Sequence, residues 1–140
     1  MGSRVEQAEE RHRRGYNCAQ AGACTYADLV GVDEATLFRA TEGLGLGMGG
    51  MEGTCGALSG ACVLAGLKGS DPTLDHPHTK AKTYQESREL VSRFQDQVGA
   101  TRCGTIKGRD TGQVLMPCPE CVRRSAAIVE QVLFPEVLGE

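Results

Sequence analysis

Hydrophobic positions recur along this chain at helical spacing, and no segment alternates between apolar and polar residues as a half-buried strand does. The clearest stripe has alternating spacings of three and four and comprises Tyr84, Ser87, Val91, Phe94 and Val98. A second stripe, near the end of the chain, comprises Val122, Ala126, Val129 and Leu133. We therefore expect an all-α fold, a bundle of six or seven helices that forms one domain over residues 1–140.

Residues that favour helix N-termini stand before four of the helical segments. They are Ser3, Asn17, Asp33 and Thr54. The first two are followed three residues later by Glu6 and Gln20, which is the pattern of a capping box. Residues 43–53 are rich in glycine and predict a loop. The last helix is expected to begin near Pro119, because proline suits the first helical position.

Composition predicts the kind of core and limits the classes of partner. Aromatic residues make up only 4% of the 140 residues, so we expect a core of small aliphatic side chains with close contacts between helices. The net charge of −3 provides no basic surface for nucleic acid, and the basic residues 11–14 read as a solvated helix end. No apolar stretch is long enough to cross a bilayer, and the polar N-terminus does not resemble a signal peptide, so we expect a cytoplasmic protein.

Seven cysteines are the main chemical feature. Four of them lie beside helix-start signals, and these are Cys18, Cys55, Cys103 and Cys118. Cys118 also forms a C-x-x-C unit with Cys121. A helix N-terminus favours thiolate over thiol, and the thiolate is the form that binds metal and attacks disulfides. The pattern therefore predicts thiol chemistry, whereas Cys24 and Cys62 read as core residues.

Three other motifs carry weaker signals. Residues 45–50 match G-x-G-x-x-G, but a helix rather than a strand precedes them, which favours a loop beside Cys55 over a dinucleotide site. His76 and His78 flank a proline in a turn-rich segment and read as solvated. Gly56 and Gly60 lie one helical turn apart, so we expect another backbone to approach this helix closely.

The ordered set of cysteines and flanking residues resembles the redox-active family named for its pattern, the C-GCAxxG-C-C proteins. The resemblance rests on residues 15–20, on residues 55–60, on Phe94 and Gly99 ahead of Cys103, and on the residues that follow Cys118. It implies four family cysteines: Cys18, Cys55, Cys103 and Cys118. It also implies a distant similarity to split-Soret cytochromes, which hold an iron–sulfur centre, although their haem-attachment motif is missing. Cys121 is an addition to the family pattern.

Three chemistries stay open on these residues. The first is electron transfer through an iron–sulfur cluster held by Cys18, Cys55, Cys103 and Cys118, since four thiolates are the usual ligand set. The second is a metal-free dithiol, with Cys118 as the attacking thiol and Cys121 or Cys55 as the resolving one. The third is a structural zinc module. Whether Cys118 or Cys121 is the fourth functional thiol also stays open, as does the choice between an oxidoreductase and an electron carrier. An unidentified redox partner protein is expected, and a homodimer is an option.

Overall fold

Residues 2–139, the part of the chain that the computed structural model describes, contain eight α-helices and no β-strand. They are α1 (Val5–Arg13), α2 (Cys18–Cys24), α3 (Glu34–Thr41), α4 (Gly56–Gly69), α5 (Lys80–Val98), α6 (Cys103–Lys107), α7 (Cys118–Val132) and α8 (Pro135–Leu138). The all-α prediction is confirmed, and the one-turn helix α8 adds an eighth helix to the predicted six or seven. None of the helices in this part of the chain is long and apolar enough to cross a membrane.

Helix α2 lies at the centre and is buried along its whole length. It packs on α4, and α1, α3 and α7 cover its other sides. The contact with α4 is close because Gly60 has no side chain: a Cβ built there would lie 2.7 Å from the carbonyl oxygen of Ala19. The close approach predicted from the glycine spacing is therefore confirmed at Gly60.

The two predicted hydrophobic stripes differ in how many of their residues are buried. All four predicted residues of α7 are buried. On α5 the prediction is partly wrong, because Tyr84 and Val91 are 56% and 39% exposed and Leu90 is buried instead. The buried face of α5 follows Leu90, Phe94 and Val98, and Val91 is turned away because successive helical residues differ by about 100°.

Two of the four predicted caps are present. Asn17 Oδ1 accepts a hydrogen bond from the Gln20 backbone at 2.9 Å, and Gln20 Oε1 accepts one from the Asn17 backbone at 2.9 Å, so the predicted capping box is confirmed. Asp33 likewise caps α3, by accepting a bond from a backbone N–H of the first turn. The first of these caps fixes the start of the central helix.

The caps predicted at Ser3 and Thr54 are wrong. Helix α1 begins one residue later than predicted, after Arg4, and Ser3 Oγ accepts only a long 3.3 Å bond from Val5. Thr54 is drawn into a short antiparallel bridge with Arg102, so the position that precedes α4 is taken by Cys55. A tertiary contact thus overrides the local capping preference of threonine.

Candidate redox centre

Five of the seven cysteines line a single cavity of about 160 Å³. They are Cys18, Cys55, Cys103, Cys118 and Cys121. His12, Asn17, Leu46, Gly56, Ile106 and Lys107 complete its walls. The fold therefore brings together thiols that are up to 103 residues apart in sequence (121 minus 18).

Cys18 is held by the cap of the central helix. It is the first residue of α2, directly after the capping-box residue Asn17. The Asn17 amide also donates a 2.9 Å bond to the carbonyl oxygen of Glu42, which ties this helix start to the segment that leads into the glycine-rich loop. One side chain thus positions both the thiol and the loop that covers it.

Cys55 and Cys103 are placed side by side by backbone pairing. The Cys55 N–H donates to the carbonyl oxygen of Thr101 at 2.7 Å, and the Cys103 N–H donates to that of Gly53 at 2.9 Å. Between these bonds lies the bridge of Thr54 with Arg102. Because backbone bonds of this kind hold both segments, the two thiols have a fixed relation despite their distance in sequence.

The C-x-x-C unit opens α7, and its two thiols have different neighbours. Cys118 is half-buried, and the ammonium group of Lys107 donates to its sulfur at 3.1 Å. Cys121 is 2% exposed and its thiol donates a long 3.9 Å bond to the carbonyl oxygen of Met116. The more accessible thiol therefore faces a cation, and the other lies deeper in the protein.

The thiols that line the cavity affect one another's protonation. The Cys55 thiol is the largest cause of the raised pKa of Cys18, and the Cys121 thiol is the largest cause of the raised pKa of Cys55. Cys103 lies close enough to Cys18 and Cys118 for their charges to interact.

These surroundings shift the thiols towards the protonated form. The neighbouring Cys55 thiol, together with burial, raises the pKa of Cys18 far above its ordinary value. The neighbouring Cys121 thiol, together with burial, raises the pKa of Cys55 to about 12. Burial raises the pKa of Cys103, and Lys107 offsets part of that effect. At neutral pH these three groups are therefore uncharged thiols, which are poor nucleophiles.

Two basic groups face the same cavity. The contact with Cys118 raises the pKa of the Lys107 ammonium, so this group is charged at neutral pH. Burial, and next the charge of Lys107, lower the pKa of His12. His12 is therefore neutral at pH 7 and can accept a proton, whereas Lys107 provides a fixed positive charge.

The glycine-rich loop covers the thiols with backbone. A Cβ built on Gly47 would lie 2.5 Å from Cβ of Cys103, and one built on Gly56 would lie 2.5 Å from the Cys18 sulfur. Leu46, which has a left-handed φ of 53°, lines the same cavity, and its backbone lowers the pKa of Cys18. These glycines therefore allow the backbone to pass close to the cysteine side chains.

The cysteines of the cavity are spread around its walls. No group of three or more His, Cys, Asp and Glu side chains within residues 2–139 is arranged to hold a single ion. The ligands of a zinc ion must all lie about 2.3 Å from one point. Cluster ligands bind different irons, so they surround a volume instead of converging on a point. The five cysteines line the walls of the cavity, and among the described residues they do not form a group for a single ion.

A family model described as "Putative redox-active protein (C_GCAxxG_C_C)" matches residues 16–132. The chain belongs to the C_GCAxxG_C_C family. A search of the curated proteins and of the solved structures found no match to it. The matched residues include all five cysteines of the cavity, so the thiols lie within the segment that defines this redox-active family.

For this C_GCAxxG_C_C protein, sequence reasoning missed the two basic residues of the cavity. His12 was assigned to a solvated helix end, and Lys107 was not singled out, because each lies outside the cysteine motifs. The only available signal was the position of Lys107 four residues after Cys103, where both side chains share a helix face. Cys24 and Cys62 lie outside the cavity, as do His76 and His78, which are in the exposed connector between α4 and α5.

Proposed function

We propose that this protein transfers electrons through an iron–sulfur cluster held in the cavity by Cys18, Cys55, Cys103 and Cys118. The observation that carries the proposal is the placement of thiols from four different helix starts around one cavity of about 160 Å³. A dithiol reaction requires two thiols and no enclosed volume. Four thiols around a volume is the arrangement that a cluster requires.

The chain's own residues account for how such a group would be held. When bound, a cluster supplies one-electron redox chemistry at the potential that its surroundings set. Lys107 would neutralise part of the negative charge of the four thiolates, and the Leu46 backbone, which acts to lower the pKa of Cys18, would favour the thiolate of that ligand. Positive charge and hydrogen bonds at the sulfurs favour the reduced, more negative state, so both contacts raise the reduction potential.

A metal-free dithiol is the second candidate, and one observation favours it. Cys118 lies at the first turn of α7 with the Lys107 ammonium 3.1 Å from its sulfur, which is the environment of a reactive cysteine. Its neighbour in the motif, Cys121, is the matching resolving thiol. A zinc module has less support, because three convergent ligands are missing from residues 2–139.

Anaerobic reconstitution distinguishes these functions. The full chain is reduced, incubated with ferrous iron and sulfide, desalted, and analysed for iron, acid-labile sulfide and visible absorption. A cluster protein gains iron and sulfide in equal amounts and absorbs in the visible, and reduction with dithionite bleaches it. The matched control is the Cys24→Ser, Cys62→Ser double variant, which keeps the five cavity thiols and should load as well as the parent.

Three outcomes contradict the cluster. A colourless protein that binds one zinc per chain indicates the structural module. A colourless, metal-free protein whose thiols oxidise and reduce reversibly indicates the dithiol. Colour that survives replacement of Cys18, Cys55 and Cys103 by serine shows that the bound iron lies elsewhere.

A further inference from the structure

The covering segment, residues 46–52 of the glycine-rich loop, lies between a cavity cysteine and solvent. Its inner side is Gly47, which is buried: a Cβ built there would lie 2.5 Å from Cβ of Cys103 and 3.3 Å from its sulfur. Its outer side is open, since Met48 is 58% exposed and the two glycines that follow are exposed as well. Displacement of this segment would therefore uncover Cys103.

The backbone of the covering segment is strained. Within residues 2–139, three residues other than glycine have a positive φ, and all three lie here: Leu46 at 53°, Met48 at 64° and Met51 at 66°. This conformation is unfavourable for L-residues, because Cβ crowds the following carbonyl oxygen. Such a backbone persists only where its surroundings hold it in place. The contacts that hold this segment are therefore the ones that keep the cavity covered.

Two arginines hold the covering segment from outside the cavity. Arg109 Nη1 donates to the carbonyl oxygen of Gly50 at 2.8 Å, and its Nη2 lies 3.2 Å from one carboxylate oxygen of Glu52. Arg102 Nη2 donates to the other carboxylate oxygen of Glu52 at 2.7 Å. Asp110 accepts from Arg109 Nη2 at 3.0 Å and so orients its guanidinium group. Arg109 does not line the cavity, so it can act on the thiols only through the segment.

These contacts are of a kind that breaks easily, whereas the chain on either side is fixed. The side chains of Arg109 and Glu52 are 37% and 75% exposed, and ion pairs between exposed groups add little stability. Before the segment, Gly45 packs against the side chain of Asn17, and after it the carbonyl oxygen of Gly53 accepts from the Cys103 N–H at 2.9 Å. A strained segment that is weakly held between fixed ends is expected to open locally.

We propose that the covering segment is a lid over the thiols, that Arg109 holds it closed, and that its opening admits solutes to Cys103. Opening breaks the contacts of Arg109 and also the 3.0 Å bond from the Gly53 N–H to the carbonyl oxygen of Gly47. Arg109 is thus a positioning residue. The role of the lid as the route for iron rests on the proposed function, whereas the exposure of Cys103 does not.

Alkylation of the metal-free protein tests the lid. The reduced full chain is labelled with iodoacetamide, and the rate at each cysteine is read by peptide mass spectrometry. Arg109→Gln removes both contacts with the segment, so Cys103 should react about three- to tenfold faster. Cys24, which is buried outside the cavity, should keep its rate. The control Arg93→Gln removes a 2.6 Å ion pair with Glu89 on α5 and should change neither rate.

The direction of this effect separates the lid from a simple charge effect. Burial raises the pKa of Cys103, and the positive charges of Lys107 and Arg109 act in the opposite direction. Removing the charge of Arg109 would by itself leave less thiolate and slow the alkylation. A faster reaction at Cys103 therefore reports opening of the segment.

Relief of the strain should have the opposite effect. Met48→Gly favours the closed form, because the left-handed backbone costs a side chain more than the added freedom of glycine costs the fold. Alkylation of Cys103 should slow by roughly two- to fivefold. Hydrogen exchange of the Gly53 amide needs no thiol chemistry, and it should be faster in Arg109→Gln and slower in Met48→Gly.

Two results overturn the inference. An unchanged rate at Cys103 in Arg109→Gln shows that this arginine does not hold the segment. Equal increases at Cys103 and Cys24 show that the whole fold has loosened. If Arg109→Gln does not fold, Glu52→Gln tests the same contact from its exposed side and should give a smaller increase at Cys103 alone.

Reconstitution with ferrous iron and sulfide separates this inference from the proposed function. Faster uptake by Arg109→Gln, to the same final iron content as the parent, supports the lid as the route for iron. Equal rates of uptake contradict that route but leave the cluster in place. No uptake by either protein contradicts the cluster, while a selective change in the labelling of Cys103 still supports the lid.

Discussion

Helices α2 and α4 each carry two cysteines, and the two members of each pair have different surroundings. On α2, Cys18 opens the helix and lines the cavity, whereas Cys24 ends it and faces Glu34. On α4, Cys55 precedes the helix and lines the cavity, whereas Cys62 lies in its middle, near Ser87. Burial does not separate them, since Cys18 and Cys24 are 8% and 2% exposed.

The comparison shows that neighbours, rather than exposure, distinguish the cysteines of the cavity from those that pack in the core. At Cys18 and Cys55, another thiol of the cavity is the largest cause of the raised pKa. Burial alone is the largest cause at Cys24 and Cys62. The starts of α2 and α4 meet at the cavity, so Cys18 and Cys55 both line it. Cys24, at the end of α2, and Cys62, in the middle of α4, lie outside the cavity.

The sharpest test of the comparison replaces one cysteine of each kind on the same helix. Cys55→Ser should lose nearly all reconstituted iron and visible absorption, since a serine hydroxyl is a poor iron ligand. Cys62→Ser should retain the parent's iron content, because its sulfur lies outside the cavity. Iron and sulfide analysis of both variants measures the difference. Equal losses would mean that the two thiols do not differ in function.

The helix crossing that positions both pairs should be sensitive to one methyl group. Gly60→Ala places a Cβ against the backbone of Ala19, so overpacking of about 1–3 kcal/mol should exceed the gain in helix propensity of about 0.5–1 kcal/mol. Gly66→Ala, on the same helix with open space around it, should instead stabilise by up to about 0.5–1 kcal/mol. Urea unfolding of both variants measures these effects. A stabilised Gly60→Ala variant would show that the crossing is not tight.

The positive charge beside Cys118 is expected to have a moderate kinetic effect. In the cluster-free protein, Lys107→Met removes the ammonium group that donates to the sulfur, so alkylation of Cys118 should slow by roughly two- to fivefold, or about 0.5–1 kcal/mol. The buried Cys24 serves as the slow reference in the same sample. Timed iodoacetamide labelling with peptide mass spectrometry gives both rates. An unchanged rate at Cys118 would show that Lys107 does not contribute to the reactivity of this thiol.

The smallest effect is expected in the polar cluster beside Cys24. Hydrogen bonds from Arg11, and next from Tyr16, hold the pKa of Glu34 below its ordinary value of 4.5. The carboxylate therefore stabilises the fold above that ordinary pKa, and its contribution is lost as pH falls through the lower folded pKa. Glu34→Gln should cost about 0.5 kcal/mol at pH 7, since the ion pair is partly solvated.

The pH dependence supplies the check on that prediction. The difference between Glu34→Gln and the parent in urea unfolding should shrink as the pH is lowered towards 3. Glu42→Gln, which alters an exposed carboxylate, is the matched control and should change stability little at either pH. A difference that grows on acidification would have the wrong sign for a carboxylate stabilised by Arg11.

Much of the fold could be predicted because its causes are local. The capping box at Asn17 and the buried stripe of α7 depend on residues within a few positions of each other, and both are present. The cap at Thr54 and part of the stripe on α5 could not be predicted correctly. The bridge with Arg102 holds Thr54 away from the position that would cap α4. Only a narrow face of α5 packs against the core, so part of its predicted stripe is exposed.

The sequence by itself determined the all-α class, the helix starts beside Cys18, Cys55, Cys103 and Cys118, and membership of a redox-active family. Only the tertiary structure decided that Lys107 and His12 face those thiols, and that Cys121 lines the same cavity. Capping and helical periodicity act over three or four residues, so a single sequence displays them. The cavity depends on which helix ends meet, and that is decided by packing between segments far apart in the chain, such as the contact of Gly60 with Ala19.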